Sequence, residues 1–535
     1  MRRVLAICIV CTMLAGSLIS AHNVRMTKAV SFSVSKEVIT IGGPLKADLK
    51  TIDESFAVVL PLSTDKQITT GEADDRYPSL ISDGGGNLVM AYSSALSFLE
   101  VDLGLAYSTD NGENWMVLTP VDPFDGEAEL QTALDFCRVE DGKSLAYGTF
   151  VTSAGNGGIT PFIVLEDMTA YETWSIYYLD WTDNDFYGLD SIDIACDDEI
   201  EGMDEDFVMT YTMSFPAFDQ WPEVHQIPFI LFHPEGDSYW CYWFYYNWSS
   251  HARIDIDRAM NNIYLTFQTT NDTNQDVVLE FAPESALGEW GDGKGEMGLF
   301  RVGGSADATN PDVDADNNYV YLVCQINEIG INEDIVCFHS SDGGETWEMT
   351  YIANSPDNEM YPVIEAKGST ATCLFTKNGD LYAAITTDGG NTWEITGPIN
   401  DETGSVIEEY ACADVAAGYA VWQDGRGGNG DIYFDQATAL PAFDISISGG
   451  FGIKVTITNV GTGEAKDLQW SIDLQGLVFV GKHSEGMQGS LKPGESITTK
   501  LFVLGLGPVG VSVSVDGTTK EASGFLLGPF VLGMS

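Results

Sequence analysis

The sequence predicts an all-β chain: a seven-bladed β-propeller, with six blades as the alternative count, followed by a small C-terminal β-sandwich. Three observations carry this expectation. Tryptophan recurs at Trp115, Trp174, Trp240, Trp290, Trp347 and Trp393, at separations of 59, 66, 50, 57 and 46 residues, the spacing of a repeat array. Each round holds four strand-like runs, the layout of a propeller blade. Composition agrees: 44% hydrophobic and 11% aromatic residues with 56 glycines favour strands and tight turns.

In chain order, "MRRVLAICIVCTMLAGSLISA" pairs two arginines with a short apolar run and small residues, so 1–21 reads as a secretory signal and the chain as secreted, extracellular or cell-surface. Residues 22–54 form a lead-in. No later stretch reaches the length of an integral membrane span. Seven cysteines remain beyond the signal at scattered positions, giving neither a zinc pattern nor a complete disulfide framework. A balance of 24 basic to 80 acidic residues, net −56, excludes nucleic acid as a partner, because a phosphate backbone would be repelled.

The first strands of the rounds are "YPSLIS" at 77, "TALDFC" at 132, "SIDIAC" at 191, "ARIDID" at 252, "NPDVDAD" at 310, "YPVIEA" at 361 and "YACADV" at 410. The seventh round, ending near 438, stops after three strands. The sequence therefore predicts that "SFAVVLPLS", 55–63, supplies the missing strand and closes a ring over 55–438, removing open sheet edges. From 441 to 535 the tryptophan repeat ceases and alternating strands with Gly- and Pro-rich turns predict a sandwich of immunoglobulin-like form.

Three turns share one spelling: "STDNGENW" at 108, "SSDGGETW" at 340 and "TTDGGNTW" at 386. Gly or Asn supplies positive φ there. Asp110, Asp342 and Asp388 are placed to accept turn amides, and Gly112, Gly344 and Gly390 to let Trp115, Trp347 and Trp393 pack between blades. The motif therefore reads as a folding device.

These copies resemble the Asp-box, or bacterial neuraminidase repeat, of sialidase-like β-propellers, over roughly residues 55–438. The C-terminal segment resembles adhesion-type modules. The resemblance implies that the Asp-box turns face away from the ligand side, and that a sialidase would hold a substrate carboxylate with three arginines, attack with a Glu-assisted Tyr and use an Asp as acid. Arg76 in "DRYP" matches the first family arginine. Arg301 and Arg426 lie near the expected connecting loops, and Asp74, Asp75 and Asp424 are carboxylate candidates for a general glycosidase.

Two further constellations stand out. Asp135, Asp193, Asp255, Asp314, Glu365 and Asp414 recur at one frame position of six first strands, with Ile81 in the first. Around a central channel they either order a cation such as Ca²⁺ or cap amides of the neighbouring blade. Trp181, Tyr187, Phe218, Trp221, His225 and Trp248 enrich the loops of rounds two to four and compose either a stacking platform for sugar rings or an apolar lid. The leading expectation is recognition of a glycan or another surface macromolecule through the loop face; the alternative is an exo-acting sialidase-like glycoside hydrolase.

Overall fold

The structure, a computed structural model, describes residues 64–83, 86–97, 100–121, 128–139, 143–152, 157–164, 177–179, 188–197, 206–215, 225–233, 240–243, 249–270, 274–283, 298–302, 306–327, 332–438, 443–459, 463, 465–492, 494–515 and 518–534, with the backbone path alone over much of 137–248. All regular structure among these residues is strand. The chain divides into two compact units, Met1–Ala437 and Thr438–Ser535.

The first unit contains seven four-stranded antiparallel sheets among the described residues. Sheet 1 comprises Asp74–Ser82, Leu88–Ser97, Glu100–Ser108 and Met116–Val121; sheet 2, Glu129–Val139, Lys143–Thr152, Gly157–Val164 and Tyr177–Leu179. Sheet 3 comprises Gly188–Asp197, Asp206–Phe215, His225–His233 and Trp240–Trp243; sheet 4, Ser250–Asp257, Asn262–Thr270, Gln275–Pro283 and Gly298–Val302. Sheet 5 runs Asp307–Asp316, Tyr319–Asn327, Asp334–Ser340 and Glu348–Ala353; sheet 6, Met360–Lys367, Thr370–Lys377, Asp380–Thr386 and Glu394–Thr396. Sheet 7 takes Ala413–Ala416, Tyr419–Asp424 and Asp431–Gln436 from the end of the unit and Lys66–Gln67 from its start.

Each first strand lies against the first strand of the next sheet, and that of sheet 7 lies against that of sheet 1, so the sheets close into a β-propeller ring. The segment expected to close it, 55–63, lies outside the described residues. The described closure uses Lys66 and Gln67, paired with Phe434 and Tyr433.

Apolar clusters fill the spaces between sheets, as between sheets 4 and 5 (Leu279, Phe281, Leu322) and between sheets 6 and 7 (Leu374, Val415, Trp422). Each fully buried Leu or Val contributes about 1.5–3 kcal/mol of transfer free energy. The three Asp turns belong to this packing. Asp342 Oδ1 accepts the Thr346 amide at 2.8 Å and the Ser340 hydroxyl at 2.8 Å, and Gly344 N donates to Ser340 Oγ. Asp110 and Asp388 repeat the pattern.

Gly112, Gly344 and Gly390 have φ of 80°, 91° and 92°. A Cβ at these three positions would meet Phe434 at 2.2 Å, Phe281 at 2.7 Å and His339 at 2.6 Å, each on the third strand of the preceding sheet. Only glycine meets both demands. Trp115 meets Phe434 edge to face at 5.2 Å, and Trp347 meets Phe281 at 6.2 Å.

The second unit pairs a three-stranded sheet (Phe443–Ser448, Ile453–Asn459, Ser496–Leu501) with a six-stranded one. The six strands, in spatial order, are Gly450–Phe451, Phe530–Leu532, Thr518–Gly528, Leu504–Val515, Ala465–Val480 and His483–Leu491. Ile445, Val455 and Ile457 from the smaller sheet share one core with Ile472, Val511 and Val513 from the larger.

Candidate functional site

The seven first strands enclose an axial cavity of about 360 Å³. Alternation along a strand aims every second side chain at it, and those side chains are largely acidic. Six first strands carry a non-glycine residue at positive φ in their first four residues or, for Ala411, just before the strand: Tyr77, Ser191, His251, Asn310, Tyr361 and Ala411. In five of them the pairing with the second strand shifts there, as at a β-bulge. The bulges lie at the end of the ring opposite the Asp turns, because strands one and three run the same way in each sheet; we call that end the mouth.

The recurrent acids cap amides of the neighbouring sheet. Asp135 Oδ2 accepts from Cys196 N at 2.7 Å, Asp193 from Ile254 N at 2.9 Å and Asp255 from Ala315 N at 2.8 Å. Asp312 and Asp314 accept from Ile364 N and Ala366 N, Glu365 from Ala417 N and Gly418 N, and Asp414 from Leu80 N at 2.7 Å. Ser79 Oγ, accepting from Leu134 N at 3.1 Å, fills the joint that Ile81 left open in the frame.

A second tier sits at the bulges. Gln268, Gln325 and Gln423 accept the amides of Asn310, Tyr361 and Tyr77 in the next sheet, and Ser191 Oγ accepts that of His251. Among the described residues no three His, Cys, Asp or Glu side chains are grouped so as to hold a metal ion.

Burial sets the electrostatics of the cavity. Desolvation raises the carboxyls of Asp193 and Asp255 to about 7 and those of Asp312 and Asp414 to about 6, while the donated amides pull the other way. Arg253 sits among Asp193, Asp312 and Asp414, 3.9 Å from Asp312, and they hold its guanidinium charged although burial opposes this. Arg258 bonds Asp135 and the carbonyls of Cys196 and Phe136 nearer the Asp-turn end.

The segment leading into sheet 7 spans the mouth. Tyr410 stacks on His251 of sheet 4 at 3.8 Å between ring centroids, and Arg253 lies 5.0 Å from its ring. Next to it Glu409 accepts from Arg76 Nη1 at 2.8 Å and from Tyr77 Oη at 3.4 Å. Arg76 Nε donates to Asp74 at 3.0 Å. Burial and the Glu409 charge push the Tyr77 phenol above its ordinary value, whereas an attacking phenolate requires a lower one.

The remaining sequence candidates are placed as follows. Asp75 is 4% exposed and burial raises its carboxyl, with Ser94 and Thr69 as partners. Asp424 is wholly buried; burial alone would raise it, but Arg426, Ser405 and Trp422 hold it below the usual carboxylate value. Arg426 joins Asp424 to Asp65 at 2.7 and 2.6 Å and lies over Tyr433. These two therefore tie the N-terminal segment to sheet 7.

Arg301 lies in the fourth strand of sheet 4, with its side chain outside the described residues. Trp181, Tyr187, Phe218, Trp221 and Trp248 lie outside the described residues, and His225 opens the third strand of sheet 3 with its side chain outside them. Cys324, Cys337, Cys373 and Cys412 are free and buried, whereas Cys196 is disulfide-bonded.

Sequence reasoning missed Arg253, Tyr410, Glu409 and the glutamines. One signal was present: Arg253 and Asp255 are two residues apart on a strand and share a face. Tyr410 gave none, because its partner lies across the ring.

No protein-family model matches the chain, and no curated protein matches it. Among solved structures it is similar to a Dyadobacter fermentans protein of unknown function (12% identity, TM-score 0.38, 70% of this chain and 99% of that one). It is also similar to Galerina marginata prolyl oligopeptidase B (11%, 0.39, 83% of this chain but 56% of that one) and to Trypanosoma rangeli sialidase in complex with sialic acid (11%, 0.33, 88% and 90%). At these identities and scores the similarity carries no inference about activity.

Proposed function

We propose that the first unit is a complete seven-bladed β-propeller of the Asp-box type that recognises a glycan or another surface macromolecule through its mouth-side loops. In this reading the chain is secreted or displayed at the cell surface, with an immunoglobulin-like sandwich as its second unit. One observation carries the preference for recognition over sialidase-type catalysis. Arg76 is closed by Asp74 and Glu409, and Arg426 by Asp424 and Asp65. Arg426 is bidentate to Asp424, and Arg76 gives one N–H to each of two carboxylates, so either guanidinium must release a carboxylate of its own chain before it can clamp that of a ligand.

In this reading the aromatic residues of the loops of rounds two to four, Trp181 and Trp221 among them, supply the stacking surface, and the axial carboxylates serve the ring. The Arg76, Tyr77 and Glu409 contact favours the sialidase-like hydrolase as the second reading, because it joins an arginine to a Tyr–Glu pair.

One pair of assays separates the two. Glycan-array binding by the full chain and by Trp221→Ala is measured beside release of a fluorogenic aglycone from a sialoside. Binding that falls about 10-fold or more in the variant, the loss of roughly one stacked ring, without sialoside turnover, is the expected result. Turnover abolished by Tyr77→Phe would overturn it.

A further inference from the structure

At one end of its strands the six-stranded sheet of the second unit turns an uncharged apolar patch to solvent. Pairing aligns Phe451 with Phe530, Phe530 with Leu527, and Leu527 with Leu506, making one row across four strands. A second row pairs Leu532 with Phe525. Leu477, Phe479 and Leu504 continue the face at the edge of the patch, and Phe451 also meets Phe502 at 5.7 Å. These side chains are 36% to 70% exposed. The alternate residues Val478, Leu526 and Val531 point into the core, so the outward row is set by the pleat.

Area and charge together indicate what covers this face. At about 200 Å² per large apolar side chain, the patch exposes on the order of 1,000 Å², more than the roughly 300–600 Å² of the largest patch on a typical monomer. It also matches the ~800 Å² per partner of a stable protein interface. No charged residue occurs in 474–481, 501–515 or 522–535. From Thr438 onward six lysines face eight acids, a net of −2, whereas the whole chain carries −56. Residues before Thr438 carry the remaining −54, so two copies repel one another through the first unit. This face is the place where they approach without that cost, and a flat row of Leu and Phe flanked by Gly505 and Gly528 suits sheet-on-sheet packing.

We propose that this face is an isologous interface with a second copy of the chain, a twofold dimer in which the Phe451 to Leu506 row packs against its own counterpart. The interface lies wholly within the second unit and does not depend on the function proposed for the propeller.

Sedimentation equilibrium of the full chain at micromolar concentration tests it, with Leu527→Lys, the milder Leu506→Ser, and Thr498→Lys, exposed on the three-stranded sheet, as control. Thermal melts verify that each variant is folded. The expected result is a mass twice the 58.1 kDa of one chain, with association retained by Thr498→Lys and weakened about 30-fold or more by Leu527→Lys. Leu506→Ser should lie between the two, and it decides the question if the lysine variant does not fold. A monomeric wild-type chain would overturn the proposal. So would a dimer indifferent to both Leu527→Lys and Leu506→Ser, or a chain that floats with phosphatidylcholine vesicles while remaining monomeric in solution.

Discussion

Replacing Asp414 by Asn tests the account of the axial carboxylates most directly. Asp414 makes the joint between sheet 7 and sheet 1, accepting from Leu80 N at 2.7 Å and from Val415 N at 2.9 Å. Burial lifts its carboxyl from 3.8 to about 6, against the pull of the two amides and Arg253. The folded chain therefore binds this proton more tightly than the unfolded chain. The stability it contributes is full below pH 4 and is lost as pH rises through 6. A shift of about two units corresponds to about 3 kcal/mol.

Asn keeps an acceptor for Leu80 N but sets an amide against Val415 N, a loss of about 1 kcal/mol. The variant should be about 1 kcal/mol less stable than the wild type at pH 3, about equal to it near pH 4.5 and about 2 kcal/mol more stable at pH 7.5. Urea unfolding at pH 3 and pH 7.5 reads the difference. Asp193, Asp255 and Asp312 are raised in the same direction and remain in both proteins; the Asp414 charge is one cause of the rise at Asp312, so its removal relaxes Asp312 in the direction that adds to the gain at pH 7.5. Parallel wild-type and variant profiles would refute the reasoning, as would a wild type that gains stability relative to Asp414→Asn as pH rises.

Gly344→Ala meets both positive φ and a contact 2.7 Å from Phe281, and should cost about 2–4 kcal/mol in urea unfolding. Gly494→Ala, at φ +77° in open space, should cost only about 1 kcal/mol. Burial raises the thiols of Cys324, Cys337 and Cys373, and that of Cys412 to about 12, so these four should resist iodoacetamide in the folded chain and react in denaturant. Excess EDTA should leave the melting temperature unchanged, because the axial carboxylates are occupied by amides; a fall would reveal a bound cation.

Much of the propeller was legible because its devices are local. The Asp turns need Asp, Gly and Trp at fixed spacing, and the first strands need an acid between apolar residues, so each announces itself within a few positions. What escaped depends on contacts between distant rounds. Ser79 does the work of an aspartate one register away, and Gln268, Gln325 and Gln423 lie on second strands where a polar residue has no local reason to be. Tyr77 and Tyr361 hold positive φ without glycine because a neighbouring sheet supplies the acceptor for their amides. Tyr410 reaches across the ring to His251, a contact that no spacing in the chain encodes.

Every joint between successive sheets has the same polarity: the earlier sheet offers an oxygen and the later one a backbone N–H, and the joint from Asp414 to Leu80 obeys this although it links the two ends of the unit. The circuit thus has a sense of rotation but no privileged starting point. A permutant that joins the natural termini of this unit and opens the chain in another inter-sheet connection would keep all seven joints. One that exchanged the order of two sheets would keep the polarity and lose the fit of side chain to neighbour.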